Sequence, residues 1–430
     1  MERYLDRIVD QELSRRLAAF GGVLVVGPKW CGKTTTASQQ AASVLELQDP
    51  DRQAGYLATA AAKPSLLLQG DVPRLLDEWQ VAPVLWDAAR VEIDRRQEAG
   101  QFILTGSTSI DDDSIMHTGT GRITRMRMYP MSLFESKESN GSISLKVLFD
   151  EPSMDIDGAA SNLSVEELIF ATCRGGWPSS LDLASDSAKL LVAQDYLENI
   201  CQSDISTVDG VARNPSLARA LLRSYARNLS TLAKKSTIIE DIKAYSETIT
   251  APTLDSYLNA LERLYVIEDL EAWSPNIRSA TTIRSGKKRE FVDPSIAAAA
   301  FGATPEIYEK DLNSFGFLFE CLCVRDLRVY AQGMNGRLSH YRDRFDLEAD
   351  TVLHLNDGRF ALIECKLGSK DIEQGSQHLL EIRDLIREHK ANNPQSPLRD
   401  PDLLMVITGG EYAYTRPDGV KVVPIGCLRD

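Results

Sequence analysis

The sequence predicts an α/β fold built from three consecutive regions. Residues 27–34 form a G-x-x-x-x-G-K-T motif between an apolar run and a helix-compatible stretch. Leucine and alanine recur at helical spacing from about residue 165, and two strand-like runs near the C-terminus flank an Asn-Asp-Gly turn. We therefore expect a parallel sheet with flanking helices over residues 1–160, a helical region over 161–304 and a second α/β region over 305–430.

Length and composition agree with this division. The chain has 430 residues, of which 43% are apolar and 26% charged, as in globular proteins of about three domains. A net charge of −14 argues against a surface that embraces nucleic acid as a whole, although local basic patches stay open. No apolar stretch reaches the ~20 residues that cross a bilayer, and the N-terminus lacks a signal-peptide core. We expect a cytoplasmic protein without membrane contact.

The motif at 27–34 has the requirements of a phosphate-binding loop. Backbone N–H groups at a helix N-terminus and the positive dipole end attract phosphate, and Gly27 and Gly32 permit its close approach. Lys33 reaches the β- and γ-phosphates while the Thr34 hydroxyl ligates Mg²⁺. The sequence thus predicts ATP or GTP binding with Mg²⁺ as cofactor. The expected contacts are Gly27, Pro28, Lys29, Trp30, Cys31, Gly32, Lys33, Thr34 and Thr35.

A short apolar run at 73–76 ends in two carboxylates and has Walker B form. Asp77 is expected to hold the Mg²⁺ shell. Glu78 is expected to orient or deprotonate the attacking water.

Further strands are expected at 22–26, 54–58, 101–105 and 123–128, and a connector at 135–165. Thr105 or Ser107, at the end of its strand, is a candidate contact to the γ-phosphate or the water. Strands also end in Thr-Gly-Ser for turn reasons alone, so both interpretations stay open.

The middle region combines helices with basic residues. Arg219, Arg223 and Arg227 recur every fourth residue and so share one helix face, which is either solvated or in contact with phosphates. An amphipathic helix at 253–264 precedes two strand-like segments that flank a basic loop at 278–289. This order is typical of a winged helix, which binds either DNA or protein partners.

Acidic residues in the last region suggest a second centre. Asp350 precedes the Asn-Asp-Gly turn, and Glu364 and Lys366 alternate onto one face of the following strand. Glu320, on a preceding helix, adds an acidic group. This D-x(n)-E-x-K arrangement suits a Mg²⁺-dependent nuclease with Asp350 and Glu364 as ligands, but an E-x-K triplet also forms cross-strand ion pairs.

Taken together, these motifs resemble a bacterial and archaeal family that joins an AAA-type ATP-binding domain to a C-terminal domain of unknown function. That C-terminal domain contains a winged helix and a PD-(D/E)XK, restriction-endonuclease-like fold. The resemblance covers essentially the whole chain. Its segments are GPKWCGKT at 27–34, LLDEWQ at 75–80, FILTGS at 102–107, GRITRMRMYPMSLFE at 121–135, RGGWP at 174–178, YLNALERLYVIEDL at 257–270, FVDPSIAAA at 291–299 and EADTVLHLNDGRFALIECKLGS at 348–369.

The resemblance implies roles for individual residues. It places nucleotide contacts at Gly32, Lys33, Thr34 and Asp77. It makes Glu78 the hydrolytic base and Arg122 a γ-phosphate sensor or a finger that reaches a neighbouring subunit.

Three functions follow as hypotheses. The first is an ATP-driven motor or switch that engages DNA, including branched DNA, as a homo-oligomer with a hexameric ring as one candidate form. The second is a nucleotide-gated protein-interaction switch with an inert nuclease-like domain, and the third is a Mg²⁺-dependent DNA nuclease regulated by ATP. The sequence leaves the subunit number, the DNA structure and nuclease cleavage open.

Overall fold

The computed structural model describes residues 4–430 except 107–118, 244–248, 274–285, 394, 396 and 397. Within these residues it has a parallel N-terminal sheet, a helical middle and a mixed C-terminal sheet, which confirms the predicted fold class. None of the helices in the described part of the chain is long and apolar enough to span a membrane.

The N-terminal sheet has the order β2-β3-β4-β1-β5, and all its strands run parallel. The strands are β1 Gly22–Val26, β2 Ser43–Glu46, β3 Arg74–Asp77, β4 Phe102–Gly106 and β5 Ile123–Arg127. The helices are α1 Val9–Ala19, α2 Lys33–Gln40, α3 Gln53–Ala62 and α4 Val84–Arg96. Because the strands are parallel, the carboxyl ends of β1, β3 and β4 meet at one edge of the sheet.

Two predictions about this region are wrong. The strand expected at 54–58 is part of helix α3, where the alanine-rich run after Gly55 favours a helix. The sheet instead takes β2 from residues that were not expected to form a strand. The connector expected at 135–165 contains strand β6 Ile143–Ser144 and helix α5 Leu145–Asp150.

The middle region is helical, as predicted. Its helices are α6 Val165–Arg174, α7 Asp186–Asn199, α8 Ile205–Thr207, α9 Pro215–Arg227, α10 Lys235–Lys243, α11 Ala251–Arg263 and α12 Pro294–Phe301. A π-helical turn, Ile200–Asp204, joins α7 to α8. Helix α11 corresponds to the predicted amphipathic helix, but its cap is Thr250, whose side chain accepts a hydrogen bond from the Thr253 N–H.

After α11 the chain forms a short antiparallel pairing. Ile267 bridges to Phe291 and Leu270 bridges to Lys288. The outer end of this hairpin docks on the C-terminal sheet, where the Trp273 N–H donates to the His340 carbonyl at 2.6 Å. The helix-then-hairpin order matches the expected layout, and its assignment as a winged helix stays a prediction. Arg278 and Arg284 of the basic loop lie outside the described residues.

The C-terminal sheet has the order β11-β12-β10-β9-β8-β7. Its strands are β7 Gly336–Arg342, β8 Glu348–Leu355, β9 Phe360–Lys366, β10 Leu403–Thr408, β11 Tyr414–Thr415 and β12 Lys421–Pro424. Its helices are α13 Pro305–Lys310, α14 Leu312–Gly333 and α15 Ile372–Asn392. The final strand β13, Leu428–Arg429, pairs with β6 and ties the C-terminus back to the end of the first region.

One hydrophobic core joins the middle and C-terminal regions. A single buried cluster contains Trp177 and Tyr225 of the middle region together with Phe319 of α14 and Ile363 of β9. Because this core is continuous, the two regions pack as neighbours rather than as separate globules.

Candidate functional site: a phosphate loop at the edge of the parallel sheet

The phosphate loop leaves β1 at Val26 and enters α2 at Lys33. Gly27 has φ 153°, and a Cβ atom there would lie 2.1 Å from the Met128 carbonyl oxygen. Gly32 precedes the helix with φ 97°. Both positions therefore require glycine, one for space and one for its left-handed conformation. The loop leads directly into the N-terminus of helix α2, as the sequence predicts.

The Lys33 side chain lies inside this loop. It is buried, and its ammonium group donates to the Gly27 carbonyl at 3.0 Å and the Pro28 carbonyl at 2.7 Å. Thr35 is exposed and lines the cleft next to the loop, whereas Cys31 is buried beneath it. The loop thus gathers a cation and backbone donors at one point.

An arginine far from the motif supports the loop from below. Arg7 donates to the Cys31 carbonyl and to the Tyr129 carbonyl, both at 2.9 Å. Its guanidinium also pairs with Glu135 at 3.1 Å, and both side chains are almost fully buried. Arg7 and Glu135 cannot be recognised from the sequence pattern, because no fixed spacing connects them to the motif.

Three side chains converge where β1, β3 and β4 end. The Thr34 hydroxyl donates to Asp77 Oδ1 at 2.7 Å, and the Thr105 hydroxyl donates to the same oxygen at 2.6 Å. Hydroxyl and carboxylate oxygens are the ligands that Mg²⁺ prefers. Thr34 and Asp77 therefore fit a Mg²⁺ ion by their donor chemistry and their mutual distance.

Thr105 differs from its expected role. Thr105 is fully buried, and its hydroxyl contacts only groups of the protein among the described residues. Its oxygen also accepts a hydrogen bond from the Glu78 N–H at 3.2 Å. In this structure it holds the Asp77 carboxylate and the Glu78 backbone rather than facing the cleft. Ser107, the other candidate at this strand end, lies outside the described residues.

Glu78 occupies an unusual backbone position directly after β3, with φ 52°. Its carboxylate accepts a hydrogen bond from the Gln80 side chain. Burial raises the pKa of Glu78, while the nearby Lys33 ammonium lowers it and Asp77 raises it further, so the net shift is upward. A carboxylate with a raised pKa is a better proton acceptor.

A cleft of about 1100 Å³ opens between the phosphate loop and helix α7. Two loop side chains reach across to the middle region. Lys29 pairs with Asp204 of the π-helical turn at 2.8 Å, and the Trp30 ring lies 5.7 Å from the Tyr196 ring. The Trp30 side chain is still exposed enough to line the cleft. The loop therefore contacts the middle region directly.

Arg122 lies at the opposite edge of the sheet. Its carbonyl accepts the Gly22 N–H, at the first residue of β1, whereas the phosphate loop follows the last residue of that strand. A five-residue strand spans about 16 Å. Arg122 also pairs with Asp94 at 2.8 Å. The sensor role within its own chain is therefore wrong; a role toward a neighbouring subunit stays a prediction.

The second predicted centre is assembled, but with an additional cation. Lys366 pairs with Glu364 at 2.5 Å and with Asp350 at 3.2 Å. Lys288, from the hairpin of the middle region, pairs with Glu320 and with Asp350 at 3.2 Å. Among the described residues there is no group of three or more His, Cys, Asp or Glu side chains arranged to hold a metal ion.

Electrostatics favour the charged forms of Asp350, Lys288 and Lys366, whereas burial raises the pKa of Glu320 and of Glu364. Burial raises the pKa of Asp350, but the Lys288 and Lys366 ammonium groups outweigh it and hold that pKa well below its usual range. Burial lowers the pKa of Lys288, but attraction to Glu320 and Asp350 raises it well above normal. Both lysines are therefore held in their charged forms by the carboxylates around them.

Family models match three consecutive segments of the chain. An AAA domain model matches residues 20–137, and two models described as domains of unknown function, DUF8612 and DUF4143, match residues 165–307 and 315–428. The first match coincides with the parallel sheet and its phosphate loop. Residues 20–137 have the AAA-type P-loop ATPase fold.

Proteins similar to this chain include uncharacterized proteins of Mycobacterium tuberculosis and Mycobacterium bovis. Each is 24% identical over 417 residues, which cover 96% of this chain and 82% of the relative. Among solved structures, a Walker-type ATPase of Pyrococcus abyssi is 14% identical with a TM-score of 0.42, covering 69% of this chain and 96% of that chain. A variant of RuvB from Thermotoga maritima is 15% identical with a TM-score of 0.28, covering 71% and 93%.

The basic residues outside the AAA-type region are largely engaged within the chain. Arg219 pairs with Glu198 at 2.7 Å, and Arg227 pairs with Asp241. Arg223 is exposed on the same helix, α9. The shared face is therefore mainly an ion-paired surface.

The end of the expected basic loop is buried. Lys288 enters the acidic cluster, and Arg289 pairs with Asp269 at 2.5 Å. Neither side chain is available to phosphates, because both point into the protein. Lys287 is exposed and pairs with Glu271 at 2.7 Å.

Proposed function

We propose that this chain binds ATP with Mg²⁺ at the phosphate loop and hydrolyses it. The observation that carries the proposal is the convergence of Thr34, Asp77, Thr105 and Glu78 beside the buried Lys33. Each of these side chains comes from a different position along the same sheet edge, which is where a nucleotide binds in a P-loop fold.

The side chains have complementary duties in the proposed reaction. Lys33 exchanges its carbonyl contacts for β- and γ-phosphate oxygens and balances their charge. Thr34 and Asp77 would hold Mg²⁺, which would neutralise part of the charge of the phosphates. Glu78 accepts a proton from the attacking water as a new bond to the γ-phosphorus forms and the bond to the ADP oxygen breaks.

Two substitutions test this assignment. Lys33→Ala should abolish phosphate release while the circular dichroism spectrum is unchanged, whereas Lys63→Ala, at an exposed lysine of the same region, should retain it. Glu78→Gln should bind a fluorescent ATP analogue normally but release phosphate at least ~100-fold more slowly. Phosphate release by Lys33→Ala at the wild-type rate would falsify the site.

We further propose that the nucleotide state controls a protein interaction through the middle region. Lys29 and Trp30 lie within the phosphate loop, so a change at the phosphates changes their contacts with Asp204 and Tyr196. Among the described basic residues that were candidates for DNA contact, Lys288 and Arg289 are buried, and Arg219, Arg227 and Lys287 form ion pairs within the chain. This pairing favours the nucleotide-gated switch over a DNA motor.

The DNA-directed hypothesis makes a different prediction for the same assay. Phosphate release is measured alone and with single-stranded, duplex and four-way-junction DNA. A switch without DNA contact gives equal rates throughout. Stimulation by any of these DNAs would favour the motor and contradict the interaction switch.

A homo-oligomer, with a hexameric ring as one form, is a separate proposal. Arg122 and Asp94 both lie near the surface at the edge opposite the phosphate loop, where a neighbouring subunit could reach them. Sedimentation velocity with ADP and with a nonhydrolysable ATP analogue gives the subunit number. A monomer in both states would exclude a finger supplied by a neighbour.

A further inference from the structure

The acidic cluster of the C-terminal sheet contains two internal cations. Glu320 projects from α14, Asp350 from β8 and Glu364 from β9, and all three are buried or nearly so. Lys366 lies between Asp350 and Glu364, and Lys288 lies between Asp350 and Glu320. Asp350 thus has an ammonium group on each side.

Lys288 is held in this position by its backbone. Its N–H and carbonyl both pair with Leu270, each at 2.9 Å. The same hairpin is fixed to β7, because the His340 N–H donates to the Glu271 carbonyl at 2.9 Å. The side chain is therefore delivered to the cluster by a structured segment of the middle region rather than by a free tail.

The oxygens of Asp350 are already engaged. Oδ1 accepts from Lys288, while Oδ2 accepts from Lys366 and from the Cys365 N–H at 2.9 Å. Mg²⁺ requires close oxygen ligands in octahedral geometry, with ligand distances of about 2.0–2.1 Å. A metal ion that approached Asp350 would meet an ammonium group at each carboxylate oxygen.

The charge in the cluster is also nearly balanced without metal. Three carboxylates, Glu320, Asp350 and Glu364, face Lys288 and Lys366, and two ammonium groups carry the same charge as one divalent ion. His378 adds a further partner for Glu364 at 3.7 Å. A metal ion added to this set would have to overcome repulsion from both lysines.

We propose that Lys288 takes the place of a divalent cation between Glu320 and Asp350, so that the nuclease-like cluster is closed to metal and instead fastens the middle region to the C-terminal sheet. This inference is independent of ATP hydrolysis, since the cluster shares no residue with the phosphate loop. It contradicts the expectation that Asp350 and Glu364 hold Mg²⁺ in this chain.

Manganese binding to the full chain tests the proposal. Free Mn²⁺ is measured by electron paramagnetic resonance without nucleotide, in the wild type, Lys288→Ala and Asp350→Asn. Lys287→Ala is the matched control, because Lys287 is the adjacent lysine but pairs with the exposed Glu271. Circular dichroism establishes which variants are folded.

We expect the wild type and Lys287→Ala to bind the same number of Mn²⁺ ions as Asp350→Asn. Lys288→Ala should gain one further Mn²⁺ site. Adding Asp350→Asn to Lys288→Ala should remove that site. Wild-type binding that depends on Asp350, or a folded Lys288→Ala variant that gains none, overturns the proposal. If Lys288→Ala does not fold, the comparison of the wild type with Asp350→Asn decides it.

Discussion

The Thr105 hydroxyl offers a direct test of how the Walker B carboxylates are positioned. Thr105→Val keeps the shape of the side chain but removes the oxygen that donates to Asp77 Oδ1 at 2.6 Å and accepts the Glu78 N–H at 3.2 Å. Thr105 is fully buried, so water cannot replace the lost bonds. The carboxylates should then sample geometries that are less suited to catalysis.

The size of the effect follows from these two bonds. A hydrogen bond to a charged group contributes about 1.5–3 kcal/mol and a neutral one about 1 kcal/mol, which together give about 2.5–4 kcal/mol. Because Thr34 still donates to Asp77 at 2.7 Å, the lower half of this range applies. At 1.36 kcal/mol per tenfold, kcat should fall by about 70- to 250-fold.

Steady-state and single-turnover phosphate release measure kcat, and a fluorescent ATP analogue measures binding. Thr105→Ser is the matched control, because it retains the hydroxyl and should recover most of the wild-type kcat. The affinity for ATP should change little in either variant, since Lys33 and the loop glycines are untouched. A lower kcat with an unchanged affinity for ATP distinguishes a loss of positioning from a general loss of structure.

Two results would refute the reasoning. A Thr105→Val variant with a kcat within a factor of two of the wild type would show that the hydroxyl does not position the carboxylates. A Thr105→Ser variant as slow as Thr105→Val would show that the defect comes from packing of the strand end.

Three further predictions concern ion pairs elsewhere in the chain. Arg325→Met leaves the buried carboxylates around Arg325 without a cation, so it should lower the free energy of unfolding in urea by about 3–5 kcal/mol. The control Arg337→Met, at an exposed arginine, should lower it by less than about 0.5 kcal/mol. Equal losses in the two variants would contradict the prediction. The buried Glu364 carboxylate, 3.7 Å from the His378 ring nitrogen, raises the pKa of His378, so its contribution is present below the unfolded pKa and lost as the pH rises through the folded one. The stability difference between the wild type and His378→Gln should therefore be larger at about pH 6 than at about pH 8.5, and a difference that grows with pH would reverse the sign. Lys29 and Asp204 should show a coupling of about 0.2–1 kcal/mol in a double-mutant cycle with Lys29→Ala and Asp204→Asn, and additive effects would exclude the contact.

Much of the AAA-type region could be predicted because its signals are local. The strand at 22–26, the loop that follows it and the Walker B strand each carry their pattern within a few residues. Strand β2, Ser43–Glu46, was missed because it is short and its apolar residues do not alternate clearly. The alanine-rich segment of α3 was assigned to a strand although its composition favours a helix.

The residues that surround the site could not be predicted from local sequence patterns. Arg7 supports the phosphate loop from 20 residues before Gly27, and Asp204 meets Lys29 from 175 residues away along the chain. Thr105 was found as a strand-end hydroxyl, but only packing decided that it faces Asp77 and Glu78. Arg122 shows the same limit, since a sequence does not tell which edge of the sheet a charge occupies.

The sequence by itself determined that a phosphate-binding loop follows a buried strand, and that two carboxylates and a lysine lie on neighbouring strands near the C-terminus. Tertiary structure alone decided what surrounds them. Lys288 belongs to a hairpin 62 residues before Asp350, yet folding inserts its ammonium group into the acidic cluster. The physical reason is that periodicity and spacing encode local conformation, whereas the partner of a buried charge is chosen by how distant segments pack.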